Sequence, residues 1–152
     1  MNRKRIINAM RTAPLLLALL FCGGCGDQAV NYDLPTQPQV FAVETFTNPS
    51  LDTDTYASIV YSGRTYIPFG TLTQNLRAKD AGDCLGYITQ NGTDDESTRI
   101  LLLKADKDSN FLAAVDTDSA SLQTTVMRAI DTQKKDIRIP DIIHDEEYEF
   151  WK

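Results

Sequence analysis

The stretch Tyr56-Ala-Ser-Ile-Val-Tyr-Ser-Gly-Arg-Thr-Tyr-Ile-Pro-Phe69 decides the fold class. Tyr56 to Tyr61 and Thr65 to Phe69 are rich in β-branched and aromatic residues, and Ser62-Gly63-Arg64 separates them. Side chains that branch at Cβ or carry a ring fit a pleated, half-buried surface. A short gap containing glycine, which takes positive φ freely, joins two such runs as a hairpin. Pro68 lacks an N–H, which places the second strand at a sheet edge or ends it there.

The same grammar continues on both sides of the hairpin. Val40 to Thr47 alternates in part, with Phe41, Val43 and Thr45 on one face, and Asn48 to Asp54 reads as a loop. Leu72 to Ala81 is mixed, with room for one helical turn. Cys84 to Gln90 is a strand broken by Asn91-Gly92, and Arg99 to Lys104 is a near-continuous apolar run, as for a buried strand. Asp106 to Asn110 is a turn and Phe111 to Val115 a strand. Leu122 to Ile130 reads as strand because Thr124, Thr125 and Val126 are β-branched and stiff at χ1. Ile137 to Ile143 is short and interrupted by Pro140. About seven strands at roughly ten-residue spacing predict a mainly β fold, a small antiparallel sandwich or partly open barrel with at most one short helix.

The N-terminus has a different character. Arg3, Lys4, Arg5 and Arg11 form a positive region, Ala13 to Phe21 an apolar one, and Gly23 and Gly24 stand directly before Cys25. That is the layout of a secretory signal. Its apolar run is far short of the roughly 20 residues a spanning helix needs. Small residues directly before a cysteine resemble the lipobox of bacterial lipoproteins. Cys22 is the competing cysteine, but bulky Phe21 precedes it. The resemblance implies cleavage before Cys25 and a diacylglyceryl group on its sulfur, and two acyl chains hold a protein stably on a membrane. The chain then divides into a signal peptide, 1–24, a lipidated Cys25 with a flexible tether, 25–39, and one β-rich extracytoplasmic domain, 40–152. Asn31, Asp33, Pro35 and Pro38 give the tether no sustained apolar period.

Two further resemblances rest on particular residues. Tyr61-Ser-Gly-Arg-Thr-Tyr-Ile-Pro68 is similar to a hairpin in copper amine oxidase N-terminal-like domains of exported bacterial proteins. The match covers eight residues and reads as shared hairpin chemistry. The run Gly63 to Gly70, the segment Cys84-Leu-Gly-Tyr-Ile88, and the ending from Arg128-Ala-Ile-Asp131 through Tyr148 to Trp151 resemble a family of small uncharacterised bacterial lipoproteins. That resemblance implies an anchored single domain and carries no activity or functional residues.

Charge excludes several partners. The chain has 15 Lys and Arg against 21 Asp and Glu. Losing residues 1–24 removes four of the basic residues and none of the acidic ones, leaving 11 against 21. Nucleic-acid binding and electrostatic docking to anionic lipid both need clustered Lys and Arg. Of three cysteines, Cys22 leaves with the signal and Cys25 carries lipid, so Cys84 remains as a buried, inert thiol with no disulfide partner.

Catalytic and metal motifs do not assemble in the sequence. Asp106-Lys-Asp-Ser-Asn110 matches the first ligand positions of a calcium loop, but Phe111 stands where the sharp turn wants glycine and Thr117 where a glutamate should close it. Asp52 with Asp54, and Asp116 with Asp118, share the spacing, and all read as turn chemistry. His144 is the only histidine and reads as a solvated polar residue. No cofactor is expected. The C-terminus mixes five acids with Tyr148, Phe150 and Trp151 between Asp141 and Lys152. Such aromatics either dock the tail on its own domain or bind a partner, and these three are the candidate partner-binding residues.

The function predicted is a non-catalytic binding or interaction module on the extracytoplasmic face of the cell membrane. Its membrane partner is reached through lipid on Cys25, and its further partner is an envelope protein or glycan. The alternatives are a small envelope hydrolase using a carboxylate pair, and an accessory or inhibitory subunit of an envelope complex.

Overall fold

Side-chain alternation on the central strands explains the architecture. The computed structural model describes residues 28–152. The signal segment, Cys25 and the first tether residues lie outside the described residues. Nine strands follow in chain order: β1 (Gln39–Ala42), β2 (Glu44–Thr47), β3 (Thr55–Tyr61), β4 (Arg64–Leu72), β5 (Ala81–Gln90), β6 (Thr93–Leu103), β7 (Phe111–Asp116), β8 (Thr124–Ala129) and β9 (Ile143–Asp145). On β7, Phe111, Ala113 and Val115 enter one apolar cluster while Leu112 and Ala114 enter another. On β6, Leu101 and Leu103 oppose Ile100 and Leu102 in the same way. Both faces of the sheet are covered, so these strands read as unbroken apolar runs.

The strand order is β1-β5-β6-β7-β8-β4-β3-β2, with β9 pairing β4. The pairings are antiparallel except for β1 on β5. The order begins and ends on one segment: β1 lies on β5, β2 lies on β3, and only Val43 separates them. The chain thereby ties the two ends of the sheet together, and the sheet curls into a partly open barrel. One cluster fills its inside, around Phe41, Ile59, Tyr66, Ile100, Leu112 and Met127. The other lies outside, around Phe69, Leu101, Phe111, Val115 and Val126.

Several elements differ from the sequence reading. Val40–Thr47 divides at Val43 because its two halves pair with strands at opposite ends of the sheet. Leu72 to Ala81 holds no helix, and among the described residues the only helical pieces are the 3₁₀ turns Ile130–Thr132 and Glu149–Trp151. Ile137 to Ile143 stays irregular until β9 begins at Ile143. Pro68 does not end β4, nor is β4 an edge, because it lies between β8 and β3. Proline is tolerated there because β3 pairs only with Arg64 to Tyr66, β9 pairs only with Gly70 to Leu72, and the β8 register shifts between Pro68 and Gly70.

The Asn91-Gly92 turn matches expectation. Both residues have positive φ, 53° and 76°, as a tight two-residue hairpin requires. The segment before β1 makes no regular element, but Val30 and Tyr32 pack on the outer cluster and Arg99 Nε donates to the Tyr32 carbonyl at 3.1 Å.

Candidate functional site

The inside of the barrel is filled at one end and open at the other. Phe41 and Tyr61 (ring centroids 6.3 Å apart) and Tyr61 and Tyr66 (6.4 Å) fill the end near the β3–β4 hairpin. Arg64 closes that end. Its guanidinium donates to the carbonyls of Asp108 and Ser109, each at 3.0 Å, and to Asn110 Oδ1, and it pairs with Asp131 at 2.9 Å. The Tyr66 hydroxyl donates to the Ser109 carbonyl at 2.5 Å.

Toward the other end the inward side chains shrink. Ile59 gives way to Ala57 on β3, Leu112 to Ala114 on β7, Ile100 to Thr98 on β6, and Met127 to Thr125 on β8. A cavity of about 260 Å³ results. Strands β3 to β8 all contribute to it, and Val43, between β1 and β2, completes the ring. Ile59, Ile100 and Met127 form a buried floor, while Ala57, Gln90 and Thr125 are exposed at the rim. Concave, mainly apolar cavities in barrel mouths are where small ligands bind.

No lining side chain titrates in the ordinary pH range. The Ser58 hydroxyl donates to the Glu44 carbonyl at 3.2 Å, and the Thr98 hydroxyl to Asp95 at 2.8 Å. Ser58 has no base beside it, and the carboxylate beside Thr98 is a weak base, because hydrogen bonds from Ser97 and Thr98 lower the Asp95 pKa.

Comparison with family models, with curated proteins and with solved structures found no match to this chain.

Of the other sequence-singled residues, Asp116 lies beside the mouth, paired with Thr98, and the rest sit on turns, on β5, on β9 or in the tail. Asp106 and Asp108 line a separate cleft of about 370 Å³ with Asp136 and Arg138. Asp106 accepts the Phe111 N–H at 2.6 Å, and burial raises its carboxyl above the usual range. Asp116 accepts the N–H groups of Asp118 and Ser119, and Asp54 accepts from the Asn48 amide. Asp106, Asp54 and one oxygen of Asp116, Oδ1, are engaged in their own turns. His144 is exposed on β9. Among the described residues no three His, Cys, Asp or Glu side chains are grouped as a metal would need.

Cys84 is half-buried on β5, and burial raises its thiol pKa above the ordinary value. Because the thiolate is the reactive form, native protein should label slowly with an aromatic disulfide reagent and denatured protein fast. Equal rates in the two states would show the thiol to be open.

The tail lies across the outside of β2, β3 and β4. Tyr148 meets Tyr56 edge-on at 5.8 Å, and Phe150, buried, meets Phe46 at 5.2 Å. The Tyr56 hydroxyl accepts the Phe150 N–H at 3.2 Å, and the Gln133 side-chain amide donates to the Phe150 carbonyl. The Trp151 indole donates to the Pro68 carbonyl at 2.7 Å, in the stretch of β4 between its β3 and β9 pairings. Because Glu149–Trp151 is a 3₁₀ turn, Phe150 and Trp151 both reach the domain, which an extended tail would not allow.

The sequence reading missed Arg128. It is only 8% exposed, yet among the described residues no carboxylate lies within ion-pair distance of it. It donates to Thr132 Oγ1 at 2.8 Å and to the Thr132 carbonyl at 2.7 Å. The rings of Trp151, Phe69 and Phe111 surround it at 4.8, 5.1 and 5.9 Å. Desolvation lowers its pKa, and the electron-rich ring faces offset part of that cost. The signal was present, because alternation puts Arg128 on the same face as Val126 in the apolar second half of the strand.

Proposed function

We propose that this protein is a membrane-anchored binding module on the extracytoplasmic face of a bacterial envelope, held by lipid on Cys25. The observation that carries the binding part is the barrel mouth: an apolar cavity ringed by strands and lined by no side chain able to act as general acid or base. The lipobox-like sequence before Cys25 carries the anchor. The domain would then face envelope material across whatever length of tether stays free, with Tyr32 already docked on the barrel.

A hydrolase working through carboxylates would use a cleft such as that of Asp106, Asp108 and Asp136, that of Asp80 and Asp141, or that of Asp145 and Glu147. The hydrogen bond from Phe111 N–H to Asp106 leaves that carboxylate a turn-stabilising role. An accessory subunit of an envelope complex remains compatible with the module reading, because a bound ligand and a bound partner can use different faces.

The anchor is tested first. Cys25→Ser should move the protein from the membrane fraction to the soluble fraction or leave it unprocessed, whereas Cys22→Ser should leave it on membranes. Incorporation of a fatty-acid analogue into the Cys25→Ser protein would sink the assignment.

A further inference from the structure

The charge around the mouth is one-sided. Residues 43–58, 88–98 and 114–127, which build the open end, hold Glu44, Asp52, Asp54, Asp94, Asp95, Glu96, Asp116 and Asp118, and no Lys or Arg. Two of these acids lie on the inward face. Asp95 pairs with Ile88 in the β5–β6 ladder, so the two share a face, and Ile88 lines the cavity. Asp116 pairs with Thr98, another lining residue, and continues the inward face of Ala114. The Thr98 hydroxyl binds the Asp95 carboxylate directly, so anionic rim and apolar wall are contiguous.

The geometry points to a binding site for a small cationic amphiphile, an aliphatic chain bearing an ammonium head, with the chain in the barrel mouth and the head at Asp95 and Asp116. This rests on the binding-module reading and names its ligand class. The cavity of about 260 Å³ is small, so it takes a single short chain. Removing that chain from water drives binding in proportion to the apolar area covered. The rim then decides between heads: an ammonium gains two nearby carboxylates, and a carboxylate ligand meets like charge with no cation in these segments to offset it. Hydrogen bonds from Ser97 and Thr98 to Asp95 hold its pKa below the usual carboxylate range, which favours its charged form.

Three probes of equal chain length separate the contributions: octylammonium, octanol and octanoate, each titrated into the mature protein by calorimetry below its micelle concentration. Octylammonium should bind, octanol more weakly, and octanoate not at all. Asp95→Asn with Asp116→Asn should weaken octylammonium roughly tenfold while leaving octanol unchanged, and added salt should mimic that loss. Ala57→Leu, at the exposed rim, and Ala114→Leu, deeper, should block both probes without shifting the melting temperature of the rim variant. Octanoate binding as well as octylammonium would overturn the ligand class and leave a binding module standing. Failure of all three probes would overturn the site and remove the observation on which the binding reading rests.

Discussion

Removing residues 148–152 should lower the melting temperature by on the order of 10 °C. Phe150 is 5% exposed and sits edge-on to Phe46, while Trp151 closes the aromatic ring around Arg128 and donates to the Pro68 carbonyl. Loss of a buried aromatic side chain costs about 3 to 5 kcal/mol. A domain of this size has about 5 to 15 kcal/mol in total. Truncation also leaves the Arg128 guanidinium with one ring fewer against it and frees the Gln133 amide. Trp151 is the only tryptophan, so its emission reports the docking directly. Blue-shifted emission should move to the red when the protein unfolds. Emission like that of free indole in the native state, with unchanged melting after truncation, would return the three aromatics to a partner-binding role.

Gly86→Ala should be a strongly damaging single-atom addition to the sheet. Gly86 is buried on β5 directly opposite Gln39, and a Cβ there would collide with the Gln39 backbone carbonyl and nitrogen. Backbone cannot turn away as a flexible side chain can, so β1 would have to leave β5. Phe41 sits two residues along β1, 1% exposed in the inner cluster, and would be displaced with it. A loss of about 3 kcal/mol or more follows from burial of that ring alone. Gly92→Ala provides the contrast: its φ is +76° but nothing lies near its Cβ, so only the left-handed conformation is penalised, at about 1 kcal/mol. Urea midpoints of the two variants should therefore be well separated. Equal midpoints would mean that β1 does not pack on β5 as described.

Local chemistry made most strands readable from the sequence, and the reasons for the failures are equally local. The β3–β4 hairpin, the Asn91-Gly92 turn and the apolar runs of β6 and β7 declare themselves through residue type over a few positions. The split at Val43 does not, because it is caused by strands at opposite ends of the sheet order. Pro68 misled for a similar reason. A rule about one residue's missing N–H cannot know that pairing with the neighbouring strand has already stopped at Tyr66. The cavity was hidden in plain residues: Ala57, Thr98, Ala114 and Thr125 are unremarked singly and form a ring only once register brings them level. The acids were conspicuous in the sequence, but what separates Asp95 and Asp116 from the rest is the face of the strand they occupy.

The tie at Val43 and the docked tail also set an order of events. A chain is made from its N-terminus, yet each β1 residue pairs with one 47 positions later and Trp151 binds a carbonyl 83 residues earlier. Loop closure over such separations must be met before the contacts reward it, which places the domain among slow, milliseconds-to-seconds folders. No early fragment contains a finished face: β4 waits for β8, β1 for β5, and the outside of β4 for the last two residues. The barrel therefore stays unclosed until the Glu149–Trp151 turn has been made, and it then completes as one unit.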